Sequence, residues 1–202
     1  MKKRAAVIKR KTRETDIAVK LNVDGSGKSK INTGIGFLDH MLELFAFWGL
    51  FDLEISTGKC DLKVDIHHTN EDVGIVLGQA FRKALADKKG IRRFGYAGVP
   101  MEEVVGKVVL DISGRGFFDI KTSIAGTKFI PSEGYRFEYA GHFFDGLAKN
   151  LGMNLNVRIE YANRDLHAAL EPAFKALGIA LDQATQIDPR RKGVPSTKGV
   201  ID

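Results

Sequence analysis

Apolar side chains recur along this chain with two periods, one typical of strands and one of helices. Every second position is apolar from Ile17 to Val23, as in a strand with one buried face. The run from Phe37 to Trp48 is largely apolar and too long for a typical strand, so it predicts a buried helix. Further strands are expected at Leu53 to Ser56 and Leu62 to Ile66, and a second helix from about Thr69 to Asp87.

The second half repeats this order. Strands are predicted at Val104 to Ile112 and Leu155 to Tyr161, and helices at Glu138 to Leu151 and from Asp165 to about Ile187. The pattern predicts an α+β fold made by tandem duplication, each half a small β-sheet with two helices packed on one face. Because no Pro/Ser-rich linker separates the halves, we expect a single domain over residues 1–202. Its repeats would cover about 1–100 and 101–190, followed by a C-terminal tail at 191–202 that is a candidate for binding substrate.

Composition narrows the class of protein. With 202 residues, 44% hydrophobic and 28% charged, the chain is expected to be globular. It has no apolar run of the roughly 20 residues that span a bilayer, and no secretory signal follows its basic N-terminus. The single Cys60 fits a reducing compartment. We therefore expect a cytoplasmic protein that does not bind membranes.

The net charge is positive, +6 at pH 7. Eight of the first twenty residues are Lys or Arg, which is compatible with a basic nucleic-acid-binding module. No recognised nucleic-acid motif is present, so that alternative ranks low. The same charge suits a phosphorylated small molecule or a solvated basic surface, and the charge alone does not choose among these.

The strongest chemical signal is a pattern of histidine and glutamate that occurs twice, about one hundred residues apart, and uses all five histidines. The first copy contains His40, His67, His68 and Glu71, and the second contains His142, His167 and Glu171. Ala168 stands where the second copy would have its paired histidine. Imidazoles and carboxylates at matched places in a duplicated scaffold indicate a pair of metal sites.

Helical spacing adds detail to this prediction. Residues four apart share a helix face, so His67 with Glu71, and His167 with Glu171, can each bind one ion. His68 is turned about 100° away from His67 around the helix and must contact a different group. Mixed imidazole and carboxylate ligands suit Mn, Fe, Co or Zn, and the spacing does not choose among them.

Other catalytic patterns are weak. No serine lies in a Gly-x-Ser-x-Gly elbow, which argues against a serine nucleophile. The Gly34-Ile35-Gly36 segment lacks the third glycine of a dinucleotide-binding turn. Candidates for binding phosphate are Arg92, Arg93, Arg115 and the Ser/Thr/Gly-rich tail around Ser196 and Lys198.

Several motifs, in order along nearly the whole chain, resemble the imidazoleglycerol-phosphate dehydratase family. They are Arg13-Glu14-Thr15, Thr33-Gly34-Ile35-Gly36-Phe37-Leu38-Asp39-His40-Met41-Leu42, His67-His68-Thr69-Asn70-Glu71-Asp72-Val73, Gly90-Ile91-Arg92-Arg93-Phe94-Gly95, Leu110-Asp111-Ile112-Ser113-Gly114-Arg115 and Pro195-Ser196-Thr197-Lys198-Gly199-Val200. The resemblance implies a hydro-lyase of histidine biosynthesis that converts imidazoleglycerol phosphate into imidazole acetol phosphate.

The resemblance also implies roles for individual residues. Two Mn²⁺ ions per active site would be held by His40, His67, His68, Glu71, His142, His167 and Glu171. Substrate would contact Glu14, His40, His67 and His167, and its phosphate would contact Arg93, Arg115, Ser196 and Lys198. Glu14, Glu71 and Glu171 are the candidates for acid/base catalysis. The family's sites lie between subunits of a large octahedral homo-oligomer of trimers.

The chain departs from the family pattern at Ala168, where a second histidine is expected. Asp165, a water molecule or a different metal are candidates to fill the gap. An alternative is therefore a diverged paralogue of the same fold, with one impaired metal site and a lost or changed activity. Two equal metal sites would favour the dehydratase, and a single site would favour the paralogue.

Overall fold

A computed structural model describes residues 4–123, 128–160 and 164–201. The chain contains two similar halves, each with four strands and two helices in the same order. The first half comprises β1 (Ala5–Lys11), β2 (Asp16–Asn22), β3 (Ser29–Asn32), α1 (Gly36–Trp48), β4 (Asp52–Lys59) and α2 (Ile66–Leu85). The second comprises β5 (Phe94–Met101), β6 (Val104–Asp111), β7 (Phe117–Thr122), α3 (Phe137–Leu151), β8 (Asn154–Glu160) and α4 (Leu166–Thr185).

The two sheets share one topology, β1-β2-β4-β3 in the first half and β5-β6-β8-β7 in the second. In each, three strands are antiparallel and the fourth, β3 or β7, pairs in parallel with its neighbour. Alternation explains which face is inside, since Ile17, Val19 and Leu21 of β2 are buried and the residues between them are not. The duplicated α+β fold predicted from the sequence is confirmed by this arrangement.

The four helices lie between the two sheets, and helices of different halves contact each other closely. Helix α2 packs on α3 and α1 packs on α4. Glycines permit this approach, because a Cβ added at Gly74 would lie 2.4 Å from the carbonyl oxygen of Phe143, and one added at Gly178 would lie 2.4 Å from that of Phe45. None of the helices in the described ranges is both long and apolar enough to cross a bilayer.

All four helices begin at the same end of the molecule. Helices α1 and α2 follow the parallel strands β3 and β4, so both start at the same end of the first sheet, where these strands finish. Helices α3 and α4 follow the parallel strands β7 and β8 in the same way. Residues in the first turns of the four helices can therefore meet.

Most expected elements are present within one or two residues, and one expectation is wrong. Residues 62–66 do not form a strand: the amides of Val64 and Asp65 both donate to the carbonyl of Asp61 at 3.3 Å, which makes a turn. Asp65 then caps α2 by accepting the amide of His67, so Ile66 is already helical. The capping carboxylate at this position favours a helix start over a strand. Tyr161, the expected end of β8, lies outside the described residues.

Candidate metal and substrate site

The first group of potential ligands combines the two halves of the chain. It consists of His40 on α1 with His167 and Glu171 on α4. Nε2 of His167 lies 2.7 Å from Oε2 of Glu171, and Nε2 of His40 lies 3.5 Å from the same oxygen. The two imidazole rings stack with centroids 5.3 Å apart. All three side chains thus converge on one point.

The second group is the counterpart of the first: the first half supplies two of its residues and the second half supplies one. It consists of His67 and Glu71 on α2 with His142 on α3. The rings of His67 and His142 lie 4.7 Å apart, and Nε2 of His67 is 3.7 Å from Oε2 of Glu71. The expected pairing of residues four apart on one helix face occurs in both groups.

His68 belongs to neither group and forms a third cluster with Asp61 and Glu14. Its Nδ1 lies 2.9 Å from Oδ2 of Asp61. This hydrogen bond raises the pKa of His68 above its ordinary value, and the negative charge of Glu14 adds to the effect. The spacing of a helix predicted that His68 would point elsewhere, but it gave no sign of Asp61, which begins the turn found in place of the strand expected at residues 62–66.

The first turns of α2 and α4 are capped in the same way, and this fixes the histidines next to the caps. Asp65 accepts the amide of His67 at 3.0 Å, and Asp165 accepts those of His167 and Ala168 at 2.7 and 3.2 Å. Within the described residues, Asp165 is in none of the three clusters. Oδ1 of its carboxylate stabilises the start of α4.

An aromatic layer connects the first group to the second. Tyr135 is buried, stacks on Phe37 at 4.7 Å, and donates its hydroxyl to Oδ1 of Asn70 on α2 at 2.6 Å. Phe37 in turn meets the ring of His167 edge-on at 5.8 Å. Burial raises the pKa of Tyr135 well above its usual range, so it acts as a neutral donor. These contacts hold the helices that carry the two groups in a fixed relation.

The donor sets of the first two groups fit a divalent metal ion. Within each group one atom per residue lies within 4.8 Å of the others, and the set is two imidazole nitrogens and one carboxylate oxygen. Neighbouring ligands about 2.1 Å from an ion at right angles are about 3 Å apart. The observed separations of 2.7, 3.5 and 3.7 Å are close to this value. Three ligands leave coordination positions open for a substrate.

Lys175 contacts the first group, and the sequence pattern did not reveal this contact. Its Nζ lies 2.5 Å from Oε1 of Glu171. Burial alone would raise the pKa of Glu171, but the hydrogen bonds from Lys175 and His167 outweigh it and hold that pKa below its usual value. The position of Lys175, four residues after Glu171, was the available signal.

Two of the candidate phosphate contacts, Arg93 and the C-terminal tail, meet each other away from the metal groups. Arg93 forms two hydrogen bonds with the carboxylate of Asp111, at 2.6 and 3.0 Å, and a third with the carbonyl of Pro195 at 2.9 Å. This contact ties the start of the Ser196–Lys198 segment to Arg93. Arg115 is exposed in the turn after β6, the strand that ends with Asp111.

Within one chain, the first metal group and Arg93 lie near opposite ends of α4. The amide of Arg93 donates to the carbonyl of Ala184 at 2.8 Å, near the C-terminal end of α4, whereas Glu171 lies near its N-terminal end. A helix rises 1.5 Å per residue, so the two positions on α4 are about 20 Å apart.

Comparisons with known proteins agree on one family. A family model described as Imidazoleglycerol-phosphate dehydratase matches residues 33–181. Proteins of that name from Geobacter metallireducens and Methanocella arvoryzae are 47% and 50% identical to this chain; each alignment covers 98% of this chain, with 99% and 100% of the relative. The solved structure of the dehydratase from Staphylococcus aureus has a TM-score of 0.78 at 31% identity, covering 91% of this chain and 99% of that one. The Pyrococcus furiosus structure, in complex with (S)-C348, has a TM-score of 0.79 at 34% identity, with coverage of 96% and 99%.

Proposed function

The chain belongs to the imidazoleglycerol-phosphate dehydratase family, hydro-lyases of histidine biosynthesis, and from this premise we propose that it dehydrates imidazoleglycerol phosphate to imidazole acetol phosphate with manganese. The observation that carries the proposal is the pair of matched groups, each with two imidazoles and one carboxylate at the start of the helices. A substrate with an imidazole ring is itself a metal ligand, so the open positions of both groups suit it.

The reaction removes a hydroxyl group and a proton as water, so the site needs groups that accept and donate protons. When bound, manganese would stabilise the anionic form of the substrate's imidazole as a Lewis acid. Glu14, close to His68 and Asp61, is one candidate for moving the proton, and Glu71 and Glu171 are the others. His68, which is hydrogen-bonded to Asp61, would orient Glu14 and balance its negative charge when the imidazole is protonated.

We further propose that each active site is assembled from several copies of the chain, in a large homo-oligomer of trimers. The substrate's ring and phosphorus are about five bonds of about 1.5 Å apart, well under the roughly 20 Å that separates Glu171 from the part of α4 beside Arg93. Contact with both sets of residues therefore requires that Arg93 and the tail of one copy meet the metal groups of another. The third cluster, which includes His68, would likewise face a neighbouring copy.

The test is turnover by chelator-treated protein, with and without added Mn²⁺, followed through formation of the acetol product. Product that depends on manganese is the expected result. Glu171→Gln and Glu71→Gln should each abolish it, because each removes the carboxylate of one group. Absence of product from folded, manganese-loaded protein would refute the proposed reaction.

Ala168 gives a specific reason to keep the second candidate, a paralogue with one impaired site. Its methyl group offers no ligand at the position where the first half has His68. One manganese ion per chain, together with no turnover, would support this alternative.

A further inference from the structure

The two metal groups differ in how their carboxylates are held. In the first group, Oε1 of Glu171 accepts the ammonium of Lys175 at 2.5 Å, while Oε2 faces His167 at 2.7 Å and His40 at 3.5 Å. The carboxylate is thus fixed at both oxygens, and its side chain is only 14% exposed. One oxygen is kept in the direction from which the imidazoles converge.

Glu71 of the second group has no such support. Ile75 occupies the place on α2 that corresponds to Lys175 on α4. In the described ranges of the chain, no lysine or arginine lies within ion-pair distance of Glu71; its ion-pair partner is His67, at 3.7 Å. The side chain of Glu71 is 42% exposed, three times the value for Glu171. It must therefore lose more conformational freedom when it binds an ion.

We propose that Lys175 is a positioning residue that makes the two groups unequal, so that the first group binds Mn²⁺ more tightly and fills first. The second group fills later and exchanges its ion more readily. This inference rests on the proposed function, in that both groups hold manganese. It adds the order in which the two groups bind manganese. As the manganese concentration changes, the occupancy of the second group would change first.

Two effects of Lys175 oppose each other, and the geometry indicates which one is larger. Its positive charge repels a cation, which would weaken binding. However, the ammonium is bound to Oε1 of Glu171, whereas Oε2 faces the imidazoles, so Lys175 leaves the oxygen on the ligand side free for an ion and holds it in place. Partners that orient a metal ligand in this way typically contribute about 10–100-fold in metal affinity.

The experiment is a titration of the chelator-treated, full-length protein with Mn²⁺, in which free Mn²⁺ is measured by electron paramagnetic resonance. Two classes of site with different affinities are expected. Glu171→Gln should remove the tighter class and Glu71→Gln the weaker one. Lys175→Met should weaken the tighter class by about 10–100-fold and leave the weaker class unchanged. Lys175→Arg, which keeps a cation within reach of Glu171, should retain most of the affinity.

Lys149→Met is the matched control, because Lys149 makes the same four-residue ion pair with Asp145 on α3, at 2.7 Å. Lys149 also interacts electrostatically with Glu71, so any effect should fall on the weaker class and not on the tighter one. Equal affinities in the unaltered protein would overturn the inference, as would unchanged or tighter binding in Lys175→Met. Turnover is measured on the same samples. Two unequal classes without product would remove the proposed reaction and leave this inference intact, whereas product with two equal sites would do the opposite.

Discussion

Mixing two inactive variants should restore activity if metal and phosphate residues of one active site come from different copies. Glu171→Gln damages the first metal group and leaves Arg93 intact, and Arg93→Met does the reverse. Glu171 is about 20 Å along α4 from Ala184, whose carbonyl accepts the amide of Arg93, and this is more than twice the span from the ring of the substrate to its phosphorus. In random assemblies of equal amounts, one site in four draws both intact contributions, so about a quarter of the wild-type activity is expected.

The assay requires that subunits exchange before turnover is measured. The variants are mixed after chelation, reassembled with Mn²⁺, and checked by size-exclusion chromatography and by melting temperature. The second check matters because Arg93→Met also removes the ion pair with Asp111. Each variant assembled alone should remain inactive. Mixed assemblies with no activity above that background would show that one chain supplies both sets of residues, and would refute the reasoning from distance.

Three further predictions concern single positions. Asp61→Asn should lower the pKa of His68 towards about 6.5, because the hydrogen bond that favours the charged imidazole is weakened; NMR titration of the ring protons measures it, and an unchanged pKa would contradict the assigned cause. Because the folded-state pKa of His68 is raised, protonated His68 stabilises the fold at low pH, and this effect is lost as the pH rises through that pKa. The melting temperature of Asp61→Asn should therefore lie below that of the unaltered protein at low pH and approach it at higher pH. Ala168→His should increase the amount of bound manganese or tighten the weaker site, and unchanged stoichiometry and affinity would show that position 168 provides no ligand. Gly74→Ala should lower the free energy of unfolding, measured by chemical denaturation, by about 1–3 kcal/mol, because its Cβ would lie 2.4 Å from a carbonyl oxygen of α3. The control Gly141→Ala has open space around its Cβ and should be neutral or stabilising.

The sequence predicted the central strands of both sheets and did not reveal the edges. Strands β2, β4, β6 and β8 were expected, and each pairs on both sides in its sheet. Strands β1, β3, β5 and β7 were not expected, and all four are edge strands. An edge strand has a neighbour on one side only and more exposed side chains, so its apolar pattern is weaker. Its place depends on the strand it pairs with, which local sequence does not specify.

Helical spacing alone determined that His67 pairs with Glu71 and His167 with Glu171, because residues four apart must share a face. It also determined that His68 faces another direction. It could not predict contacts between helices, nor the contact of Asp61 with His68. It did place Lys175 on the same face as Glu171 without marking that contact as special. A lysine four residues from a glutamate is common on exposed helices, so the pattern did not distinguish this one.

Tertiary structure alone decided how the two copies of the pattern combine. His40 from the first half completes the group on α4, and His142 from the second half completes the group on α2. The exchange occurs because α1 packs against α4 and α2 against α3, through close contacts at glycines such as Gly178 and Gly74. Duplication supplied two matching sets of ligands in the sequence, apart from Ala168, but the packing of helices from opposite halves determines which residues share a site.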